Sequence, residues 1–208
     1  SGIDGSVLRE YAPTTGGNSA HNAPVAAGDL NGDGFADYLM SANLTTPFTH
    51  AFSGVDGVEL YTVPHLGELA SIGDVDGDFV SDFVVGREQD DDGGYDAGAV
   101  FVYSGAAGAY LFRVNGFAAY DELGSAVDAA GDVNDDGTPD FVAGATQFYG
   151  SSVGYALVCS GKDGQVLHRF NGEGSPDRLG WAVAGVGDVD GDGRPDILAG
   201  AIEFLSTG

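Results

Sequence analysis

Basic residues are scarce in this chain: 7 Lys and Arg stand against 32 Asp and Glu among 208 residues, a formal charge of −25. A phosphate backbone or an anionic bilayer would be repelled, which argues against nucleic acid and against membrane insertion. The single cysteine, Cys159, leaves no intrachain disulfide to form, so the redox compartment is not legible from thiols. No apolar run approaches the roughly 18 residues of a membrane span. No basic segment followed by an apolar stretch opens the chain as a secretory leader would. Also missing are a G-x-S-x-G elbow, a phosphate-binding glycine loop and an Arg-Gly-Asp tripeptide, and nothing places Ser, His and Asp together as catalysis would require. The expectation is a protein that is not an enzyme.

Hydrophobic residues make up 43 % of the chain and aromatics 11 %, too rich for a disordered acidic tail. The 36 glycines and the lack of a 3.6-residue apolar period argue against helical repeats. The chain instead repeats itself. Ser-Gly recurs at Ser1-Gly2, Ser53-Gly54, Ser104-Gly105 and Ser160-Gly161, continued as SGIDGSVL, SGVDGVEL, SGAAGAYL and SGKDGQVL. In phase with it run GDLNGDGFADYL from Gly28, GDVDGDFVSDFVVG from Gly73, GDVNDDGTPDFVAGA from Gly131 and GDVDGDGRPDILAGA from Gly187. The repeats fall at approximately 1–52, 53–103, 104–159 and 160–208.

Each unit reads as short strands. An Asp-Gly or Ala-Gly turn favours a hairpin, and an alternating segment such as Val166–Phe170 follows as a half-exposed strand. Runs of small apolar residues (VAAG, LASIG, AVDAAG, AVAGVG) predict strands buried on both faces. Beyond the acidic loop comes a second buried strand (FVVG, FVAGA, ILAGA), then an aromatic third one (AVFVYSG, YALVCSG). Four strands in roughly 50 residues, repeated, mark an all-β fold of β-propeller blades with four antiparallel strands each. The chain opens after a third strand and stops before one. That predicts a window of a longer propeller, a module completed by another copy, or a ring with a three-stranded closing blade.

The strongest chemical signal is D-x-[DN]-x-D-x-x-x-D, four times over: Asp29, Asn31, Asp33 and Asp37; Asp74, Asp76, Asp78 and Asp82; Asp132, Asn134, Asp136 and Asp140; Asp188, Asp190, Asp192 and Asp196. The seventh position (Phe35, Val80, Thr138, Arg194) would add a backbone carbonyl. A set of hard oxygens with flexible geometry suits Ca²⁺, whereas zinc would want His or Cys. Asp and Gly also make good turns by themselves. A turn needs one Asp, however, and packed carboxylates repel without a cation among them. The twelfth position, a bidentate Glu in an EF-hand, is Met40, Val85, Ala143 or Ala199 here. Up to four Ca²⁺ are expected, which would bring the formal charge of −25 to about −17.

These residues carry a resemblance to the FG-GAP repeats of the integrin α amino-terminal β-propeller and their bacterial relatives. The family's Phe-Gly appears as Leu66-Gly67, Leu123-Gly124 and Leu179-Gly180, and its Gly-Ala as Gly144-Ala145 and Gly200-Ala201. The resemblance implies Ca²⁺ in the loops between first and second strands. It also implies adhesion, recognition or extracellular structure rather than catalysis. Phe79 departs from it at a glycine position, as does Asn22-Ala23-Pro24 where a Leu-Gly is expected, and four blades fall short of the usual seven. The expected protein is an extracellular or cell-surface, calcium-binding module whose partner is another protein or further copies of itself. A lectin-like module binding glycans through Tyr95 and Tyr149, or an accessory domain of a larger secreted enzyme, are the alternatives. Glu88–Asp96 is expected as a solvated tip, Trp181 as a core residue, Cys159 as an inert buried thiol. His21, His50, His65 and His168 show no metal spacing, and Asn43-Leu44-Thr45 is the one N-glycosylation sequon.

Overall fold

The protein's computed structural model describes residues 23–43, 47–148, 153–174 and 177–202. Ser1-Gly2, His21, Asn22, the Leu44 and Thr45 of the sequon, and Tyr149 lie outside the described residues. Every regular element among them is a strand. The first sheet holds β1 (Val25–Gly28), β2 (Asp37–Asn43), β3 (Pro47–Phe52) and β4 (Glu59–Val63) in antiparallel order. The second holds β5 (Glu68–Gly73), β6 (Asp82–Arg87), β7 (Ala99–Tyr103) and β8 (Tyr110–Asn115). The third holds β9 (Leu123–Gly131), β10 (Asp140–Ala145), β11 (Tyr155–Cys159) and β12 (Val166–Asn171). Among the described residues the fourth is a pair, β13 (Ala182–Gly187) with β14 (Asp196–Gly200). Each sheet is a meander, and successive first strands adjoin: β1 packs on β5, β5 on β9, and β9 on β13. The described residues form an open array of β-propeller blades, set face to face around the first strands.

That arrangement explains the all-apolar middle strands. In the second blade one face (Val84, Val100, Val102, Val114) packs on Phe141, Ala143, Leu157 and Cys159 of the third. The other face (Phe83, Val85, Phe101, Tyr103) packs on Leu39, Ala51 and Val63 of the first. With a blade on either side, β7, β10 and β11 are buried at every position. The fourth strands form the rim, and β12 is exposed along most of its length.

The first strands differ from expectation. They are not buried on both faces; β5 is half-buried at three of its positions and β9 along its middle. They converge beside one another around the axis, which requires small residues, while the side facing the axis stays open. Trp181 is likewise not a core residue: it is 48 % exposed at the start of β13. The segment Glu88–Asp96 is not simply a solvated tip either. Asp90 is buried, accepts from Arg87 Nη1 and the Asp92 N–H, and its own carbonyl accepts the Gly98 N–H.

Close backbone approach accounts for the repeated glycines. A Cβ on Gly54, Gly105 or Gly161 would lie within 1.9 Å of the carbonyl oxygen of Ala36, Ser81 or Pro139 respectively, in each case the residue before the ninth-position Asp. The Leu-Gly and Gly-Ala dipeptides meet across blade boundaries. Gly86 faces Gly124, and Gly144 faces Gly180 so closely that a Cβ on Gly144 would stand 1.9 Å from the Gly180 carbonyl oxygen.

Candidate metal centre

All four acidic loops connect a first strand to a second: β1 to β2, β5 to β6, β9 to β10 and β13 to β14. They therefore project from one end of the propeller, and their hydrogen bonds repeat. The first-position carboxylate accepts from the sixth-position N–H: Asp29 from Gly34 (2.8 Å), Asp74 from Phe79 (2.8 Å), Asp132 from Gly137 (2.8 Å) and Asp188 from Gly193 (3.0 Å). The third position accepts from the fifth-position N–H through Asn31, Asp76, Asn134 and Asp190. The fifth accepts from the seventh: Asp33 from Phe35, Asp78 from Val80, Asp136 from Thr138 and Asp192 from Arg194. Side chains one, three and five are thus fixed by the loop's own backbone, with oxygen lone pairs remaining on each carboxylate.

The ninth position has a role that spacing does not reveal. Asp37, Asp82 and Asp140 are almost fully buried, and each spans two turns of its own blade. One oxygen accepts from the loop's second residue (Leu30, Val75, Val133) and the other from the Ser-Gly glycine (Gly54, Gly105, Gly161), at 2.7–3.1 Å. Asp196 accepts from Val189 in the same way. Burial pushes the carboxyl groups of Asp82 and Asp140 above the ordinary range, opposed by the N–H donors they accept. At the exposed positions the sign reverses: backbone N–H groups, led by that of Gly34, hold Asp29 low, and the Thr138 N–H does the same for Asp136.

Two loops bring three carboxylates within 4.8 Å of one another, Asp74 with Asp76 and Asp78, and Asp188 with Asp190 and Asp196. In the other two, Asn31 and Asn134 hold the third position and replace a charge with an amide oxygen. The donor set is oxygen throughout, and it fits a hard divalent cation. Phe79, at the sixth position, keeps the left-handed backbone that glycine takes elsewhere, with φ of +70° against +85° to +94° at Gly34, Gly137 and Gly193. Its ring is 95 % exposed. The turn therefore forms with the same hydrogen bond, at a backbone cost glycine would not carry.

The loops interlock. Leu30 and Val75, both at second positions, reach the Ser-Gly glycine of the following blade, with side-chain carbons 3.0 and 2.8 Å from where a Cβ would stand on Gly105 and Gly161. Pro139 and Pro195 lie against Gly73 and Gly131 of the preceding loop. Arg194 donates to the Val133 carbonyl at 3.0 Å and pairs with Asp135 at 2.6 Å.

Comparison with known proteins agrees with the propeller fold. Integrin alpha-V of Gallus gallus is 24 % identical over an alignment of 201 positions that covers 85 % of this chain and 19 % of that protein. Integrin alpha pat-2 of Caenorhabditis briggsae is 29 % identical over an alignment of 213 positions that covers 85 % of this chain and 17 % of that one. The chain is similar to the propeller region of integrin α chains. It spans about one-fifth of the length of these relatives. No family model matches it. Among solved structures, rhamnogalacturonan lyase YesW superposes with a TM-score of 0.55 at 16 % identity, over 89 % of this chain and 41 % of that one. A rhamnogalacturonan lyase of Bacillus licheniformis gives 0.52 at 18 %, with the same coverage. At such identities these neighbours speak for the propeller fold. No helix among the described residues is long and apolar enough to cross a membrane.

A second group of buried acids, not evident from the repeat spacing, lies at the opposite end of these integrin-like blades. Asp121 accepts from the N–H groups of Phe117 and Ala118, from Tyr155 Oη and from Gln147 Nε2, and so ties the third blade's entry loop to its strands. Beside it Glu122 is 4 % exposed. A signal was present: the residue before Leu-Gly changes from His65 to Glu122 to Arg178, while the dipeptide repeats.

Proposed function

We propose that the chain is a non-enzymatic, calcium-binding, extracellular propeller module that serves protein–protein or cell-surface interaction. The observation that carries this reading is the fourfold acidic loop, with side-chain oxygens at positions one, three and five already oriented by backbone N–H groups. Asp29, Asn31, Asp33 and Asp37 would hold one Ca²⁺, with the Phe35 carbonyl; the sets built on Asp74, Asp132 and Asp188, with the carbonyls of Val80, Thr138 and Arg194, would hold the others. The ion supplies positive charge where the loops concentrate negative charge, and no chemical step. Outside the cell calcium is millimolar, and even a weak extracellular-type site fills there. A site with micromolar affinity would then add about 4 kcal/mol of stability. Association between copies belongs to the same reading, because an unpaired sheet edge recruits further strands.

The test is thermal melting across a calcium titration, with mass by light scattering in calcium and in excess chelator. Calcium should raise Tm saturably, and Asp192→Ala should lower both the response and the affinity. A Tm indifferent to calcium and to chelator would sink the reading.

A further inference from the structure

A cavity of about 570 Å³ opens at the starts of β5, β9 and β13, the end of the propeller away from the acidic loops. Four carboxylates line it, those of Glu68, Glu88, Asp96 and Glu122, together with the rings of Phe148 and Trp181. Phe148 and Trp181 lie 6.4 Å apart, ring to ring, and are 39 % and 48 % exposed. Arg178 stacks on the Phe148 ring at 4.0 Å and is not part of the cavity lining. Glu122 is the deepest of the acids. Its Oε2 accepts from Thr146 Oγ1 at 2.7 Å and from the Phe148 N–H at 2.6 Å, which fixes the side chain in the wall. Its Oε1 is shielded from water and has no hydrogen-bond partner. A buried, unpartnered carboxylate oxygen is unfavourable until a donor arrives to pair with it.

We propose that this cavity binds an aliphatic ammonium group, with Glu122 Oε1 as its innermost acceptor and Trp181 and Phe148 against its methylenes. Charge selects a cation: four acids line the space, and an anion would meet all of them. Size and spacing select an organic one. Among the described residues the triads of carboxylates that close around a single point lie in the acidic loops, not here, so the cavity does not gather ligands as a metal site does. Free valence selects ammonium over guanidinium. A guanidinium fork is best matched by both oxygens of one carboxylate, but Glu122 Oε2 already takes two donors and only Oε1 lacks a partner. A compact ammonium needs one oxygen at a time and gains from neighbouring aromatic faces. The group can arrive on a free diamine or on a lysine side chain of a partner.

Trp181 is the chain's one tryptophan and stands in the wall, so its fluorescence reports occupancy directly. The calcium-saturated protein is titrated with 1,5-diaminopentane, with Nα-acetyl-lysine amide, with Nα-acetyl-arginine amide and with neutral 1-pentanol, at matched ionic strength. A saturable change with either ammonium probe, and weaker responses to the arginine and alcohol probes, is expected. The tighter of the two ammonium probes then identifies a free diamine or a partner's lysine as the source. Glu122→Gln keeps the acceptor for Thr146 and Phe148 and should weaken binding about tenfold or more without lowering Tm. Asp96→Asn, at a residue whose φ of +49° suits asparagine, should weaken it less. No saturable response to either ammonium probe overturns the proposal, and so does Glu122→Gln binding as the parent does. Neither outcome bears on the calcium loops, whose failure would show in melting and not in this titration.

Discussion

Residue by residue, the acidic positions one, three and five are oriented oxygens, and the ninth adds the work of a structural staple. Asp140 is the clearest staple: replacing it with Ala would leave the buried N–H groups of Val133 and Gly161 without an acceptor. We expect Asp140→Ala to lose about 2–4 kcal/mol in urea unfolding with chelator present, where calcium contributes nothing. Asp136→Ala, at an exposed position, should lose far less under the same conditions. Phe79→Gly should gain about 1 kcal/mol by relieving the left-handed backbone, read as a higher urea midpoint at unchanged m-value. His65 provides a pH signature. It stacks on Phe101 at 3.7 Å, contacts Tyr103 Oη through Nδ1, and is held below its ordinary 6.5 by burial first and then by the Arg87 cation. The unfolded chain therefore takes up a proton before the folded one. Its contribution should be complete above about pH 6.5 and decline as the pH falls toward the lowered folded value. His65→Gln should flatten that part of a stability–pH curve. The D-x-D-x-D spacing showed which residues form the loops, but not that the ninth carboxylate reaches a turn 17 to 23 residues away, because that reach depends on strand pairing.

Among strands and sheets, the pattern was legible because a blade sandwiched between two others needs apolar residues on both faces, and that leaves long unalternating runs. The first strands were misjudged for a related reason. Small apolar residues suit close packing around an axis as well as full burial, and composition does not separate the two. The Leu-Gly and Gly-Ala dipeptides acquire a cause only in three dimensions, where backbones of neighbouring blades touch. Gly144→Ala would place a Cβ 1.9 Å from the Gly180 carbonyl, and should cost about 3 kcal/mol. Gly200→Ala, at the equivalent position of the fourth blade, meets nothing nearer than 3.6 Å and should be nearly neutral in the same chemical denaturation.

For the propeller as a whole, charge governs behaviour. The four loops hold 15 of the 32 acidic side chains at one end of the molecule, and Pro139, Pro195 and Arg194 couple loops to their neighbours. Without calcium the loops should repel through that shared face, so added sodium chloride should raise Tm in chelator and change it little in calcium. Differential scanning at low and high ionic strength checks this. The order of residues along the chain was enough to establish the repeat, the strand-rich blades, the acidic loops and their oxygen chemistry, because each rests on neighbours in sequence. It took the folded arrangement to make the ninth aspartate a staple, to stand Trp181 in a cavity wall, and to bury Glu122 there with an oxygen unpaired. Those facts depend on loops from different blades meeting at one end of the axis, and no spacing within a single repeat encodes that meeting.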